Sequence, residues 1–164
     1  MITMPEPQSR TKVIVFTDGA CLGNPGPGGW AAIVKTGQDC RELVGGYRRT
    51  TNNRMEISAL IGALQYLQAP CSVEAYTDSR YLNDALNKGW LEGWVRNGWR
   101  TASKKPVKNR DLWEELRELL QRHEVRLNWT RAHSGQKENE RCDHLARQQA
   151  RKKDLPGDPG MEAS

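Results

Sequence analysis

Paired cysteines, long apolar runs and an acidic surplus are all missing from this chain, and each absence narrows what it can be. Its four cysteines, Cys21, Cys40, Cys71 and Cys142, are scattered, with no CxxC pair and no zinc spacing. They read as reduced thiols rather than a disulfide framework or a cysteine-held metal. No apolar run approaches the roughly 20 residues that span a bilayer, and no basic-then-apolar leader opens the chain. A soluble, cytoplasmic protein without a membrane partner is expected. Phenylalanine occurs once, against six tryptophans. What is present is 164 residues with 25 Lys+Arg against 20 Asp+Glu, a formal charge of +5. That length suits one domain with a real core. The basic surplus suits a polyanionic partner without demonstrating one.

Two stretches of the chain echo each other. Val13-Ile14-Val15-Phe16-Thr17-Asp18-Gly19 is a β-branched and aromatic run that reads as a buried strand, and Val73-Glu74-Ala75-Tyr76-Thr77-Asp78-Ser79 repeats its ending. If the two strands lie parallel and adjacent, about 4.8 Å apart, Asp18 and Asp78 emerge at one rim of the sheet. Two carboxylates pressed together repel unless a cation lies between them. That arrangement is the mark of a metal site.

The remaining segments build a frame around this pair. Residues 1–10 are expected to form a disordered lead-in, 11–152 a single domain, and 153–164 a flexible tail. Gly19 to Gly29 is read as a glycine- and proline-rich loop. Trp30–Lys35 and Cys40–Tyr47 then complete an antiparallel meander through a turn at Gly37-Gln38. Thr50 to Asn53 offers capping side chains for a helix whose inner stripe is Ala59, Leu60, Ala63, Leu64 and Leu67. Glu56 falls on that stripe, where a carboxylate breaks the pattern. The helix is expected to end near Ala69-Pro70, and the strand–helix–strand crossover makes the Asp78 strand parallel to the first. Short helices are expected over 80–88 and within 89–98. A further helix, capped by Asn109, has Leu112, Leu116, Leu119 and Leu120 inward. Val125–Thr130 is the fifth strand, and a last helix from about Asn139 to Lys152 turns Cys142, Leu145, Ala146 and Gln149 to the core, with Asp143 at the margin. His123 and His144 read as helix-surface residues.

Taken singly, each of these acids has an ordinary explanation. An aspartate after a strand is commonly a turn former, and a glutamate near a helix start favours the dipole. All four at one rim of one sheet is a different matter. In chain order, Thr17-Asp18-Gly19, Gly23-Asn24-Pro25-Gly26-Pro27-Gly28-Gly29, Thr51-Asn52-Asn53-Arg54-Met55-Glu56, Thr77-Asp78-Ser79 and Glu138-Asn139-Glu140-Arg141-Cys142-Asp143 closely resemble the motifs of bacterial type 1 ribonuclease H. The resemblance runs from about Val13 to Arg151. It implies an α/β ribonuclease H-like fold: a five-stranded mixed β-sheet, three strands antiparallel and two parallel, flanked by helices on both faces. It implies hydrolysis of the RNA strand of RNA–DNA hybrids with Mg²⁺ or Mn²⁺. Asp18, Glu56, Asp78 and Asp143 match the family's metal-binding carboxylates, and His133 matches its catalytic histidine.

The chemistry agrees, because two hard divalent ions held by carboxylates serve the attacking and leaving oxygens of a phosphodiester. In this reading Asp18 bridges both ions, Asp78 and Asp143 hold one and Glu56 the other, leaving 5′-phosphate and 3′-hydroxyl ends. The stretch 88–110 interleaves Lys88, Arg96, Arg100, Lys104, Lys105, Lys108 and Arg110 with Trp90, Trp94 and Trp99. Basic and aromatic side chains so mixed favour phosphate contact, and the segment resembles the family's basic protrusion. Thr51 and Asn109 resemble a pocket for a DNA phosphate. Cys21, Asn24, Asn52 and Asn53 match positions that contact RNA or DNA across the minor groove, where 2′-hydroxyls distinguish the strands. Arg80 stands where the family often has Gln making a sugar contact.

Three rivals are weaker. A hybrid-binding module without catalysis does not need all four acids. An integrase- or resolvase-type nuclease lacks the Thr-Asn-Asn-Arg-Met-Glu segment and the basic insertion. A basic scaffold leaves the acids unexplained. A monomer with no obligate protein partner is the default expectation.

Overall fold

The computed structural model describes residues 10–131 and 135–162. Three antiparallel strands open the chain: β1 (Thr11–Cys21), β2 (Gly26–Thr36) and β3 (Asp39–Thr50). Helix α1 (Asn52–Tyr66) crosses to β4 (Cys71–Thr77). Helices α2 (Arg80–Asn87), α3 (Trp90–Arg96) and α4 (Arg110–Arg122) precede β5 (Glu124–Trp129), and α5 (Lys137–Ala150) and the short α6 (Pro159–Glu162) follow. The sheet order is β3-β2-β1-β4-β5. β1 pairs antiparallel with β2 and parallel with β4, so the expected mixed sheet is present.

Strand alternation divides the sheet's residues between two cores. Val13, Val15, Ala32 and Val34 join Ile57, Leu60, Leu64 and Leu116 in the larger cluster. Phe16, Ala31 and Ile33 pack instead on Cys142, Leu145 and Ala146 of α5. Helices therefore cover both faces. Burial of α1 is nearly continuous from Arg54 to Leu64, which is why its periodicity is weak and why charged residues within it stand out.

Several expectations change. The loop reading of Gly19–Gly29 holds only for Leu22–Pro25, because Gly28 and Gly29 pair with Cys21 and Ala20 as strand residues. Gly29 is glycine for close approach rather than for turning: a Cβ there would collide with the Ala146 carbonyl of α5. Asp18 consequently lies inside β1, not at its end. Helix α1 stops at Tyr66, earlier than expected. Trp113 was not among the inward residues assigned to α4, yet it is fully buried, its ring meeting those of Tyr81 and Trp94 at a tilt. Asn109 precedes α4 in left-handed backbone and its side chain makes no capping bond. His123 is buried rather than on the surface, its Nδ1 accepting from the Cys71 N–H at 3.0 Å, while His144 is exposed as expected.

Within the segment expected as a flexible tail, residues 155, 157, 158, 160 and 161 are at least partly buried. Pro156 accepts from the Arg48 N–H at 2.8 Å, and Asp158 is 2% exposed. Its carboxylate accepts from Arg54 Nε at 2.7 Å and Nη2 at 2.9 Å, and from Thr50 Oγ1 at 2.7 Å. Charge pairing with a buried guanidinium, invisible in a Pro/Gly-rich composition, holds this segment down.

Candidate active site

The parallel register of β1 and β4 advances by sixty positions, Val15 opposite Ala75 and Phe16 opposite Tyr76. The rings of Phe16 and Tyr76 stack with centroids 5.3 Å apart. Two residues further on stand Asp18 and Asp78, on the same side of their strands by alternation. The first turns of α1 bring in Glu56. Thr51 caps this helix, its side chain accepting from the Arg54 N–H at 3.2 Å, and Gly19 lets the helix touch the strand: a Cβ there would lie 2.6 Å from the Glu56 nitrogen.

Ligand oxygens of Asp18, Glu56 and Asp78 lie within 4.8 Å of one another. Asp18 is 6% and Glu56 4% exposed. Burial, then the nearby Asp78 charge, pushes the Asp18 carboxyl up to about 8. Glu56 is pushed well above the carboxylate range, again by burial first and then by Asp18 and Asp78. Glu56 Oε2 is buried with no hydrogen-bond partner among the described residues. An orphaned buried carboxylate oxygen facing two further acids is poorly matched to solvent and well matched to a hard divalent cation. The donor set fits such an ion.

Asp143 arrives from the other face of the sheet. Its neighbour Cys142 donates to the Phe16 carbonyl at 3.4 Å, which sets α5 at the level of the cluster. Asp143 lines the same open cleft and its charge acts on Asp18, but it is outside the tight three-acid group and accepts from Arg147 Nε at 3.1 Å. His133 lies outside the described residues.

The remaining candidates fall into two groups. Asn52, Asn53 and Arg80 line the cleft with the acids. Asn24 turns its side chain to accept from the Asn52 N–H at 3.1 Å, and Cys21 lines a second concavity that shares Gly19, Asn52, Asp143 and Arg147 with the first. Thr51 is a helix cap. Asn109 bridges Tyr81, to whose hydroxyl it donates at 3.1 Å, and Arg54, from which it accepts at 3.3 Å. The basic segment stands apart from the acids. Arg96, Arg100, Lys104, Lys105 and Lys108 are exposed. Trp90 is exposed beside Lys88, whereas Trp94 and Trp99 lean on the main core. The cleft is also lined by Trp129, Arg131 and Arg147, none of them a candidate site residue in the sequence reading. The end of β5 beside the Asp78 strand was the available signal for Trp129.

The family model described as RNase H matches residues 10–151. A protein of Nitratidesulfovibrio vulgaris named Ribonuclease H is 60% identical over 155 residues, 94% of this chain and 99% of that relative. One of Rhizobium etli with the same name is 56% identical over 135 residues, 82% and 89% of the two chains. A crystal structure of a type 1 RNase H with the type 2 active-site motif is similar with a TM-score of 0.79 at 31% identity, covering 88% of this chain and 74% of that one.

Proposed function

From the chain's membership of the RNase H family, we propose that it cuts the RNA strand of RNA–DNA hybrids internally, using divalent ions held by Asp18, Glu56, Asp78 and Asp143. Mg²⁺ is the proposed ion and Mn²⁺ its substitute. The observation that carries this reading is the group of three carboxylates within 4.8 Å, Asp18 and Glu56 buried and Asp78 half-buried, with Asp143 at its margin. When bound, a pair of such ions supplies positive charge to the attacking and leaving oxygens of an in-line displacement. The protein's own part is to hold the acids in a rigid frame of two strands and two helices. A water oxygen bonds to phosphorus, the bond from phosphorus to the 3′ oxygen breaks, and the 3′ oxygen takes a proton, leaving 5′-phosphate and 3′-hydroxyl ends.

Cys21, Asn24, Asn52 and Asn53 are assigned to contacts across the minor groove, where 2′-hydroxyls distinguish the strands. Thr51 and Asn109 are assigned to a DNA phosphate. The basic residues between Lys88 and Arg110 hold the hybrid by charge, with Trp90 as the accessible ring among them. His133 is assigned to proton handling or product release. The protein is proposed to act as a cytoplasmic monomer. Among the described residues no helix is long and apolar enough to cross a membrane.

The test incubates a labelled RNA–DNA hybrid and the matching duplex DNA with Mg²⁺ or with chelator. Cleavage of the RNA strand alone, dependent on the metal and lost by at least about a thousandfold in Asp18→Asn, is expected. Cleavage of duplex DNA, or of neither substrate, overturns the reading.

A further inference from the structure

Arg80 and Trp129 form a unit that the acid cluster does not account for. The Arg80 guanidinium lies 4.4 Å from the centroid of the Trp129 ring. The ring is itself tethered, its Nε1–H donating to the Asp78 carbonyl at 3.1 Å. Both side chains line the cleft that holds Asp18, Glu56 and Asp78. Arg80 is exposed, and no hydrogen bond or ion pair of its side chain occurs among the described residues. Arg147 on the same cleft is instead occupied by Asp143.

A guanidinium is planar, permanently charged and shaped to grip a phosphate in a bidentate way, and a ring beneath it removes much of the freedom that would be lost on binding. Its position beside an acid floor separates two tasks. The floor suits cations, while a cation at the rim suits the anionic backbone that must lie over them. We infer that Arg80, held in place by Trp129, grips a backbone phosphate flanking the one to be cleaved, in place of an uncharged sugar contact. Trp129 is a positioning residue: it fixes the guanidinium through its face and is aligned with the acid rim through its tether to Asp78. The inference rests on the hybrid-cleaving reading above.

The experiment measures binding of a labelled RNA–DNA hybrid by fluorescence anisotropy over a salt series, with divalent ions chelated so that no cleavage intervenes. Wild type is compared with Arg80→Gln, Trp129→Leu, Trp129→Phe and the double variant Arg80→Gln/Trp129→Leu. A lost phosphate contact lowers the slope of log affinity against log salt by about 0.9. The advantage of wild type over Arg80→Gln therefore shrinks by about three- to fourfold between about 50 and about 200 mM salt. Trp129→Leu is expected to weaken binding, Trp129→Phe to restore most of it, and the double variant to bind no more weakly than Arg80→Gln alone. An unchanged slope in Arg80→Gln overturns the proposal, as does full additivity in the double variant. Thermal melting identifies a variant that has lost its fold, and the Phe variant then carries the comparison. Hybrid cleavage by wild type with an unchanged Arg80→Gln slope sinks this inference alone, whereas absence of cleavage by wild type sinks the functional reading beneath it.

Discussion

At the scale of single residues, the acid cluster makes stability depend on pH with an unusual sign. Asp18 moves from an ordinary 3.8 to about 8 because burial and the Asp78 charge disfavour its ionised form. The folded chain then holds a proton that the unfolded chain has already released. Between about pH 4 and about pH 8 stability falls as pH rises, and Glu56 shifts in the same direction. In chelator the melting temperature is expected to drop across that window, each kcal/mol lost being worth about 2–4 °C in a chain of this size. Asp18→Asn should flatten the profile, and Mg²⁺ should raise the melting temperature more at pH 8 than at pH 5. A melting temperature that climbs with pH in chelator contradicts the coupling. For His133, replacement by Ala is expected to lower turnover by about a hundredfold, as for a lost proton-transfer group. Metal affinity by calorimetric titration should stay unchanged, and full turnover rejects the role.

At the scale of elements, what matters is how closely a helix can approach a strand. Gly19 sits where α1 meets β1, and an added Cβ would lie 2.6 Å from the Glu56 nitrogen and 2.7 Å from the Met55 carbonyl carbon. Gly19→Ala must push the start of α1 away, at about 1–3 kcal/mol of stability. It also displaces Glu56, and small misplacements of catalytic groups lower rates steeply. Gly37→Ala is the control. Its φ of +57° strains a side chain by about 1 kcal/mol, but nothing lies within 4 Å of the added Cβ. Melting curves and cleavage rates should separate the two: both variants lose stability, but only Gly19→Ala loses activity. Equal activity in both rejects the close-approach account of Glu56 placement.

At the scale of the whole molecule, the chain is closed by a bond between distant parts. Arg54, 3% exposed, is held by Asp158 and also by Asp111, from Nη2 at 2.7 Å to Oδ2. Removing Asp158 leaves a buried guanidinium with one half-exposed charged partner, Asp111, beside the neutral Asn109. Asp158→Ala is expected to cost about 3 kcal/mol, or about 6–12 °C in melting temperature. A melting temperature within about 2 °C of wild type means that the carboxylate on Asp111 suffices. The clasp stands two residues from Glu56 and also holds Asn109. It ties the far end of the chain to both the acid cluster and the basic segment.

Local codes made much of this protein legible from its residues in order. Alternation in β1 and β4 placed Asp18 and Asp78 together, because a pleated strand repeats every two residues and the parallel register preserves the echo. Helical spacing put Glu56 on the inner stripe of α1, and Cys142 and Leu145 on that of α5. The limits were equally local. Gly28 and Gly29 resembled turn formers because composition does not reveal a helix lying overhead. Trp113 hid because its α4 neighbours formed a more regular leucine stripe. His123, the Arg54–Asp158 clasp and the Arg80–Trp129 stack depend on partners about fifty to a hundred positions apart, and no periodicity encodes such distances. Short-range geometry follows from neighbouring residues; which distant charges meet, and which of four acids stands slightly apart, follows from packing alone.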